Sequence, residues 1–272
     1  MIGYRLGGAA AAGAGMLFAA YPMLRPYAAE TTMAGAEAWA STAWTASHTF
    51  GMVAFILLVP VFLALRGQVL SAGGVASADT TPRAAGKGGP AGAEGAGRSR
   101  AADVTLVLAW VGTALVLPYY GAETFALGRA GEHAMVTGDI GVLAAIEEFR
   151  WEPLAMTMFG LGLLALAGAG VALVRVAWHD TGLLRIGGFL TSIGLGTYLV
   201  QFFLPAAGRI GHGLVLGAGL VILAVWLFRR GHSAGGHDQH DEAVDAGNEA
   251  APRRAALTAT PVLEGDVQTR RP

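Results

Sequence analysis

The sequence predicts an all-α fold, a polytopic membrane helix bundle with six transmembrane helices and both termini in the cytoplasm. The first observation is composition: 14% of the 272 residues are charged and 54% are hydrophobic, whereas a soluble globular chain carries about 25% charged residues. The second is a set of six apolar stretches near the length of about 20 residues that a helix needs to cross a bilayer. The third is that these stretches are unbroken, whereas the strands of a membrane barrel alternate apolar and polar residues.

The six predicted spans follow one another between charged or polar flanks. They are Leu6–Leu24, Thr49–Leu65, Val104–Leu127, Pro153–Val174, Ile186–Leu204 and Leu214–Phe228. The first stretch is longer than the apolar region of a usual secretory signal. We therefore expect a retained helix, with a cleaved signal as the alternative.

The second and sixth spans share a pattern that predicts a repeated hairpin. Each begins with a small residue followed by His, at His48 and His212, and each ends in Arg-Gly at the same spacing. The first two helices and the last two would then be copies of one hairpin running in the same sense. The alternative is that apolar helices with Arg at one end resemble each other by chance.

Basic residues in the flanks predict the orientation. With the N-terminus in the cytoplasm, 14 of the 18 Lys and Arg residues lie on the inner side, where such residues are enriched. We therefore expect a multi-pass protein of the cell (inner or plasma) membrane, in contact with the lipid bilayer. A net charge of -1 argues against nucleic-acid binding, and the absence of Cys excludes thiolate metal sites and a cysteine nucleophile. No metal site is expected.

Two segments are predicted to be disordered on the cytoplasmic side, a loop over 67–102 and a tail over 231–272. Both are polar or rich in small residues, so neither can bury enough apolar surface to offset its ordering entropy. They separate a first part, 1–66, with two helices and their outer loop, from a second part, 103–230, with four.

The outer segment 139–150 is predicted to form a short amphipathic helix. Val142, Ile146 and Phe149 share one face of such a helix, which would lie flat on the membrane surface. It could serve as a connector or as a lid over a pocket. In the other outer loop, Trp39 and Trp44 are five residues apart and would point to different sides of one helix.

Glu123 is the strongest candidate for chemistry, because ionisable groups inside a membrane are costly. It lies six residues before Arg129, which is about 9 Å inside the end of the helix. Tyr119 and Tyr120 precede Glu123 by four and three residues and share its face, and Pro118 should kink the helix or free a carbonyl. The alternative is that Glu123 has no chemical role, pairs with Arg150 or Arg209, and serves only to fix the register of the helices.

Further polar and aromatic side chains are expected at the same depth, near the outer leaflet. They are Trp44, His48, Arg150, Gln201, Phe202, Arg209 and His212. The inner half of the bundle has no comparable set, so the pattern indicates one outward-opening pocket rather than an ion path across the membrane.

The leading functional hypothesis is an enzyme that acts on a lipophilic, isoprenoid-like substrate. Glu123 would be the general acid, oriented by Tyr119 or Arg209, and Tyr120, Trp44, Gln201, Phe202 and Arg150 would bind the substrate. Aromatic faces can stabilise a cationic intermediate, and this chemistry is similar to that of membrane terpene cyclases. No cofactor is needed for it.

Three alternatives from other classes remain open. Matching histidines on two helices, His48 and His212, are what a bis-His haem b of an electron-transfer protein requires. A repeated hairpin is loosely typical of a transporter for a small lipophile. The chain could also be a structural subunit with a membrane-protein partner.

The overall pattern resembles small six-helix integral membrane proteins of high-GC bacteria whose activities are uncharacterised. The resemblance rests on Tyr21-Pro22, Ser47-His48, the stretch from Pro118 to Glu123, and Gln201-Phe202-Phe203 followed by Arg209 and His212. It covers the bundle, excludes the loop over 67–102 and the tail, and implies no activity.

Overall fold

The computed structural model describes residues 3–78, 90–178 and 180–256, and these residues contain helices and no strand. The helices are α1 (Tyr4–Leu24), α2 (Met33–Ala40), α3 (Thr42–Ala78), α4 (Pro90–Thr137), α5 (Gly141–Glu147), α6 (Pro153–Trp178), α7 (Leu183–Gly196) and α8 (Ala206–Ala256). Short 3-10 turns follow α5 at Glu148–Trp151 and α7 at Val200–Phe203. The chain divides into two units, Met1–Arg229 and Arg230–Pro272.

Five helices of the described part are long and apolar enough to cross a membrane, which confirms a helical membrane protein. These segments are Tyr4–Leu24, Thr42–Ser71, Gly92–Thr137, Pro153–Trp178 and Ala206–Gly231. The predicted span Ile186–Leu204 differs: α7 has 14 residues, about 21 Å at 1.5 Å per residue, and gives way to a turn and a 3-10 segment. Four glycines within α7 weaken its helical preference, so six spans are not confirmed.

Glycine faces bring the helices into backbone contact. A Cβ built on Gly15 of α1 would lie 2.6 Å from the carbonyl oxygen of Gly217 of α8, and one on Gly219 would lie 2.5 Å from the amide nitrogen of Thr191 of α7. Side chains would prevent such close approach, which is how small residues promote helix packing in membranes. These contacts hold α8 between α1 and α7.

Charged pairs mark the two ends of the bundle. At one end Arg66 pairs with Asp103, and Arg98 pairs with Asp180 at 2.8 Å. At the other end, Glu123 of α4 lies beside His48 of α3. Since His48 and Arg66 are 18 residues apart on α3, the two ends are about 27 Å apart.

The loop between the second and third predicted spans is more helical than the sequence indicated. Helix α3 continues through Ala78 and α4 begins at Pro90, so the predicted disordered loop over 67–102 is helical at both of its ends. Its middle, 79–89, lies outside the described residues. The predicted tail is described as part of α8 as far as Ala256, and 257–272 lie outside.

The segments between α1 and α3 and between α4 and α6 pack together beside the bundle. Val142, Ile146 and Phe149 of the segment 139–150 lie against a small core that includes Trp39 and Trp44. The expectation that these indoles point to different sides of one helix is wrong, because the helix is interrupted at Ser41 and the two residues belong to α2 and α3. Their ring centroids are 6.2 Å apart.

The two halves of the predicted repeat have unequal first helices, 21 residues in α1 and 14 in α7. They do share one contact: Tyr21 of α1 lies edge-on to His48 at 5.4 Å, and Tyr198, just after α7, lies edge-on to His212 at 5.3 Å. The repeat is not confirmed and stays a prediction.

Candidate functional site

A cavity of about 400 Å³ opens at the end of the bundle where His48 lies. Its charged lining consists of Arg25, Glu30, Glu123, Arg150 and Arg209. Apart from Gln201, its other walls are aromatic or aliphatic and include Tyr27, Tyr119, Met156, Phe159, Leu199 and Phe202. The volume is within the range of small-molecule sites, about 300–1,000 Å³, and such sites combine apolar walls with a few polar groups.

Arg150 and Glu123 form the centre of the charged lining. The 3-10 turn after α5 carries Arg150 to α4, where its Nε donates to Glu123 Oε1 at 2.7 Å. The same guanidinium pairs with Glu30, and with Glu147 at 3.3 Å. Burial by itself would lower the pKa of Arg150, but the carboxylates of Glu123 and Glu30 raise it above its ordinary value. Arg150 is therefore a permanent cation.

His48 contacts the second oxygen of Glu123. Its Nδ1 lies 2.8 Å from the carbonyl oxygen of Trp44, and its Nε2 lies 3.3 Å from Glu123 Oε2. A carbonyl can only accept, so Nδ1 carries a proton. Nε2 is buried beside the carboxyl group of Glu123 and has no hydrogen-bond partner in the described part of the chain.

The indole of Trp44 joins α3 to α4 behind this pair. Its Nε1 donates to the carbonyl oxygen of Glu123 at 2.9 Å. Its ring lies 4.1 Å from that of His48, and the guanidinium of Arg25 lies 4.9 Å from its centroid. Trp44 is buried and supports the cavity from behind, instead of lining it as a substrate-binding residue would.

The three arginines of the cavity differ in their partners. Arg25 pairs with Glu30 at 3.1 Å, and Arg150 pairs with three carboxylates. Arg209 donates to backbone carbonyls, to Phe202 at 2.6 Å and to Leu204 at 2.9 Å. No carboxylate in the described part of the chain is within ion-pair distance of Arg209. Of the two partners predicted for Glu123, Arg150 is therefore the one observed.

The two predicted tyrosines are in different surroundings. Tyr119 lines the cavity and stacks on Phe159 at 4.1 Å. Tyr120 is buried, and its hydroxyl lies 3.1 Å from that of Tyr198. Gln201 and Phe202 line the cavity as well. The structure thus brings Glu123, Tyr119, Arg150, Arg209, Gln201 and Phe202 to one cavity and leaves Tyr120 outside it.

The arrangement of His48 and His212 does not fit a haem. Both nitrogens of His48 face protein oxygens, and Nε2 of His212 lies 2.9 Å from the carbonyl oxygen of Gly194. Tyr21 and Tyr198 pack edge-on against the two rings. An axial ligand needs a nitrogen that faces the iron, and Nε2 of His48, although it has no hydrogen bond, is buried 3.3 Å from Glu123 Oε2, which leaves no room for an iron.

Sequence reasoning missed two members of the site, Arg25 and Glu30. Arg25 directly follows the first predicted span and Glu30 lies five residues further along, on the side where Glu123 was expected. Their pairing with each other, and of Glu30 with Arg150, depends on the fold of the loop. Their position after the first predicted span was the only feature of the sequence that could have indicated them.

Within the residues that the structure describes, no cluster of three or more His, Asp or Glu side chains could hold a metal ion. Comparison with protein-family models, curated proteins and solved structures finds no match. The geometry of the cavity is therefore the basis for the function proposed next.

Proposed function

We propose that this protein is a six-span integral membrane protein that binds an amphipathic anion in the cavity at its outer end. The observation that carries the proposal is Arg209, a partly buried cation that lines a cavity of charged and aromatic side chains without a carboxylate partner of its own in the described part of the chain. A buried charge needs a counter-charge. A carboxylate or phosphate head group of a ligand would provide it, with the apolar part against Phe159 and Phe202.

The six crossings are supported by the path of the chain around α7. Asp180, before α7, pairs with Arg98 at one end of the bundle, whereas Phe202, after α7, lies beside Arg209 at the other end. The segment between them thus connects the two ends, although its helix is short. The excess of Lys and Arg at the Arg66 end favours that end as cytoplasmic, which makes the cavity face outward.

Binding explains the charged groups better than acid catalysis by Glu123. A general acid must deliver its proton to the substrate, but Glu123 accepts a hydrogen bond from Arg150 and faces His48 with its other oxygen. Both of its oxygens therefore already have a neighbour from the protein. In the binding proposal Glu123 holds Arg150 in place as a wall of the cavity.

One observation keeps the acid-catalysis hypothesis as a second candidate. Glu123 lines a cavity with aromatic walls and lies beside His48, which is an arrangement suited to proton transfer to a lipophilic, isoprenoid-like substrate. The purified protein would be assayed with polyprenyl substrates before and after Glu123→Gln. The hypothesis requires turnover that the variant loses, and unchanged turnover would remove the proposed acid.

The binding proposal is tested with dodecyl phosphate, a single-chain anion, and protein in lipid nanodiscs. Arg209→Gln should weaken binding at least tenfold, because a charge-assisted contact to a phosphate contributes about 1.5–3 kcal/mol. Arg129→Gln is the matched control, since Arg129 is exposed and pairs with Glu132 within its own helix. Equal affinity of the Arg209 variant and the wild type would refute the proposal.

A further inference from the structure

We infer that the ligand of the cavity is a single-chain lipid whose tail lies in an apolar groove between α4 and α6. This assignment depends on the proposed function and adds to it the substrate class and the direction of access, which is sideways from the bilayer. Three properties of the groove lead to it: its chemistry, its connection to the cavity and its depth.

The groove has a volume of about 210 Å³ and presents only apolar atoms. Leu115, Pro118 and Ala122 of α4 form one wall, and Ala155 and Met158 of α6 form the other. Glu152 also borders it, and its carboxylate accepts a hydrogen bond from the backbone amide of Ala155 at 2.7 Å. Such a surface favours hydrocarbon over any polar ligand.

A row of aromatic rings connects the groove to Arg209. Tyr119 borders both the groove and the cavity. Its ring centroid is 5.6 Å from that of Phe149, which borders the groove, and 4.1 Å from that of Phe159, which lines the cavity. Phe159 in turn lies 5.5 Å from Phe202, whose carbonyl accepts from Arg209. The hydrocarbon tail of a ligand whose head group binds Arg209 can therefore follow these rings into the groove.

The depth of the groove points to a lipid rather than a soluble anion. Leu115 and Ala122 belong to the apolar segment Gly92–Thr137, and Ala155 and Met158 belong to Pro153–Trp178, both of membrane-spanning length. The groove therefore opens towards the hydrocarbon region of the bilayer. A tail can reach it from the membrane, and a head group can reach Arg209 at the outer end of the bundle. A free phosphate would use Arg209 alone and leave the groove without a function.

The test compares inorganic phosphate, hexyl phosphate and dodecyl phosphate, each labelled with phosphorus-33, on protein in nanodiscs. Ala155→Phe fills the groove. Each methylene that moves out of an apolar site lowers affinity about fourfold, so loss of two or more should weaken dodecyl phosphate binding by about tenfold or more. Hexyl phosphate should change by less than about twofold. Partition of a probe into the bilayer is the same for every variant, so ratios between variants report the site.

Matched variants separate the groove from general damage. Ala165→Phe, at a half-buried position ten residues further along α6 and away from the groove, should bind both alkyl phosphates as the wild type does. Ala122→Leu fills the groove from the α4 side and serves if Ala155→Phe does not yield a monodisperse protein. Selective loss of dodecyl phosphate in either groove variant supports the inference.

Other outcomes overturn the inference in distinguishable ways. If the groove variants bind both alkyl phosphates normally, or lose both equally, while Arg209→Gln still weakens both, the tail does not occupy the groove but the proposed binding site stands. If inorganic phosphate binds as tightly as dodecyl phosphate, the ligand is a soluble anion. If Arg209→Gln changes no probe, the proposed function itself fails.

Discussion

Replacing Arg150 by Met should destabilise the protein by about 3 kcal/mol. The side chains of Arg150 and Glu123 are 13% and 12% exposed, so both charges are largely withdrawn from water. Removing one member of a buried ion pair costs about 3–5 kcal/mol, because the other charge remains buried. We expect the lower end of this range, since Glu123 keeps His48 as a neighbour and Glu30 keeps Arg25.

The assay is equilibrium unfolding in mixed micelles with increasing sodium dodecyl sulfate, followed by circular dichroism. Arg150→Met combined with Glu123→Gln should be more stable than Arg150→Met alone by about 1–2 kcal/mol, because no carboxylate is left facing an absent guanidinium. Arg129→Met is the control. Arg129 is 82% exposed and pairs with Glu132 within one turn, so its loss should cost no more than about 0.5 kcal/mol.

Two results would refute this reasoning. One is an Arg150→Met variant that is no less stable than the Arg129→Met control, which would mean that Arg150 lies free in solvent. The other concerns the double variant and the single variants Arg150→Met and Glu123→Gln. If the loss of stability in the double variant equals the sum of the two single losses, Arg150 and Glu123 do not interact.

Three further predictions follow from the fold and the site. The chain has no Cys, so single-cysteine variants are unambiguous: a membrane-impermeant maleimide should label Thr137→Cys in intact cells and Thr181→Cys only after permeabilisation, and the reverse would invert the topology. Gly217→Val should destabilise by about 1–3 kcal/mol in the same unfolding assay, because its Cβ would lie 2.6 Å from a backbone oxygen of α1; a neutral effect would contradict the close crossing. Trp44→Phe should cost about 1 kcal/mol through the lost hydrogen bond to the Glu123 carbonyl, and a gain in stability would argue against that bond.

The membrane character of the chain could be predicted because it is a local property. A run such as Pro153–Val174 is apolar over the length that a bilayer requires, and the structure has α6 over Pro153–Trp178. The prediction for Ile186–Leu204 was less accurate, because hydropathy alone does not report where a glycine-rich helix ends. Likewise, the low apolar content of 67–102 argued against a packed core but does not exclude extension of the neighbouring helices, which is what α3 and α4 show.

The site was predictable in its residue types and depth but not in its pairings. Glu123 was singled out because a carboxyl group within an apolar run is rare, and Tyr119 follows from helical spacing. The sequence could not choose between Arg150 and Arg209 as the partner of Glu123. The 3-10 turn after α5 carries Arg150 to Glu123, whereas Arg209 is held by the carbonyls of Phe202 and Leu204.

The sequence by itself therefore determined a helical membrane bundle with an isolated carboxyl group, since hydropathy and helical spacing act over a few turns of one segment. Only the tertiary structure decided which helix ends meet. That choice depends on the glycine contacts that hold α8 against α1 and α7, and on the segments between α1 and α3 and between α4 and α6, which bring Glu30 and Arg150 over the end of α4. Both act between residues that are far apart in the chain, and their close fit is set by the shapes of the packed surfaces rather than by the pattern of any one segment.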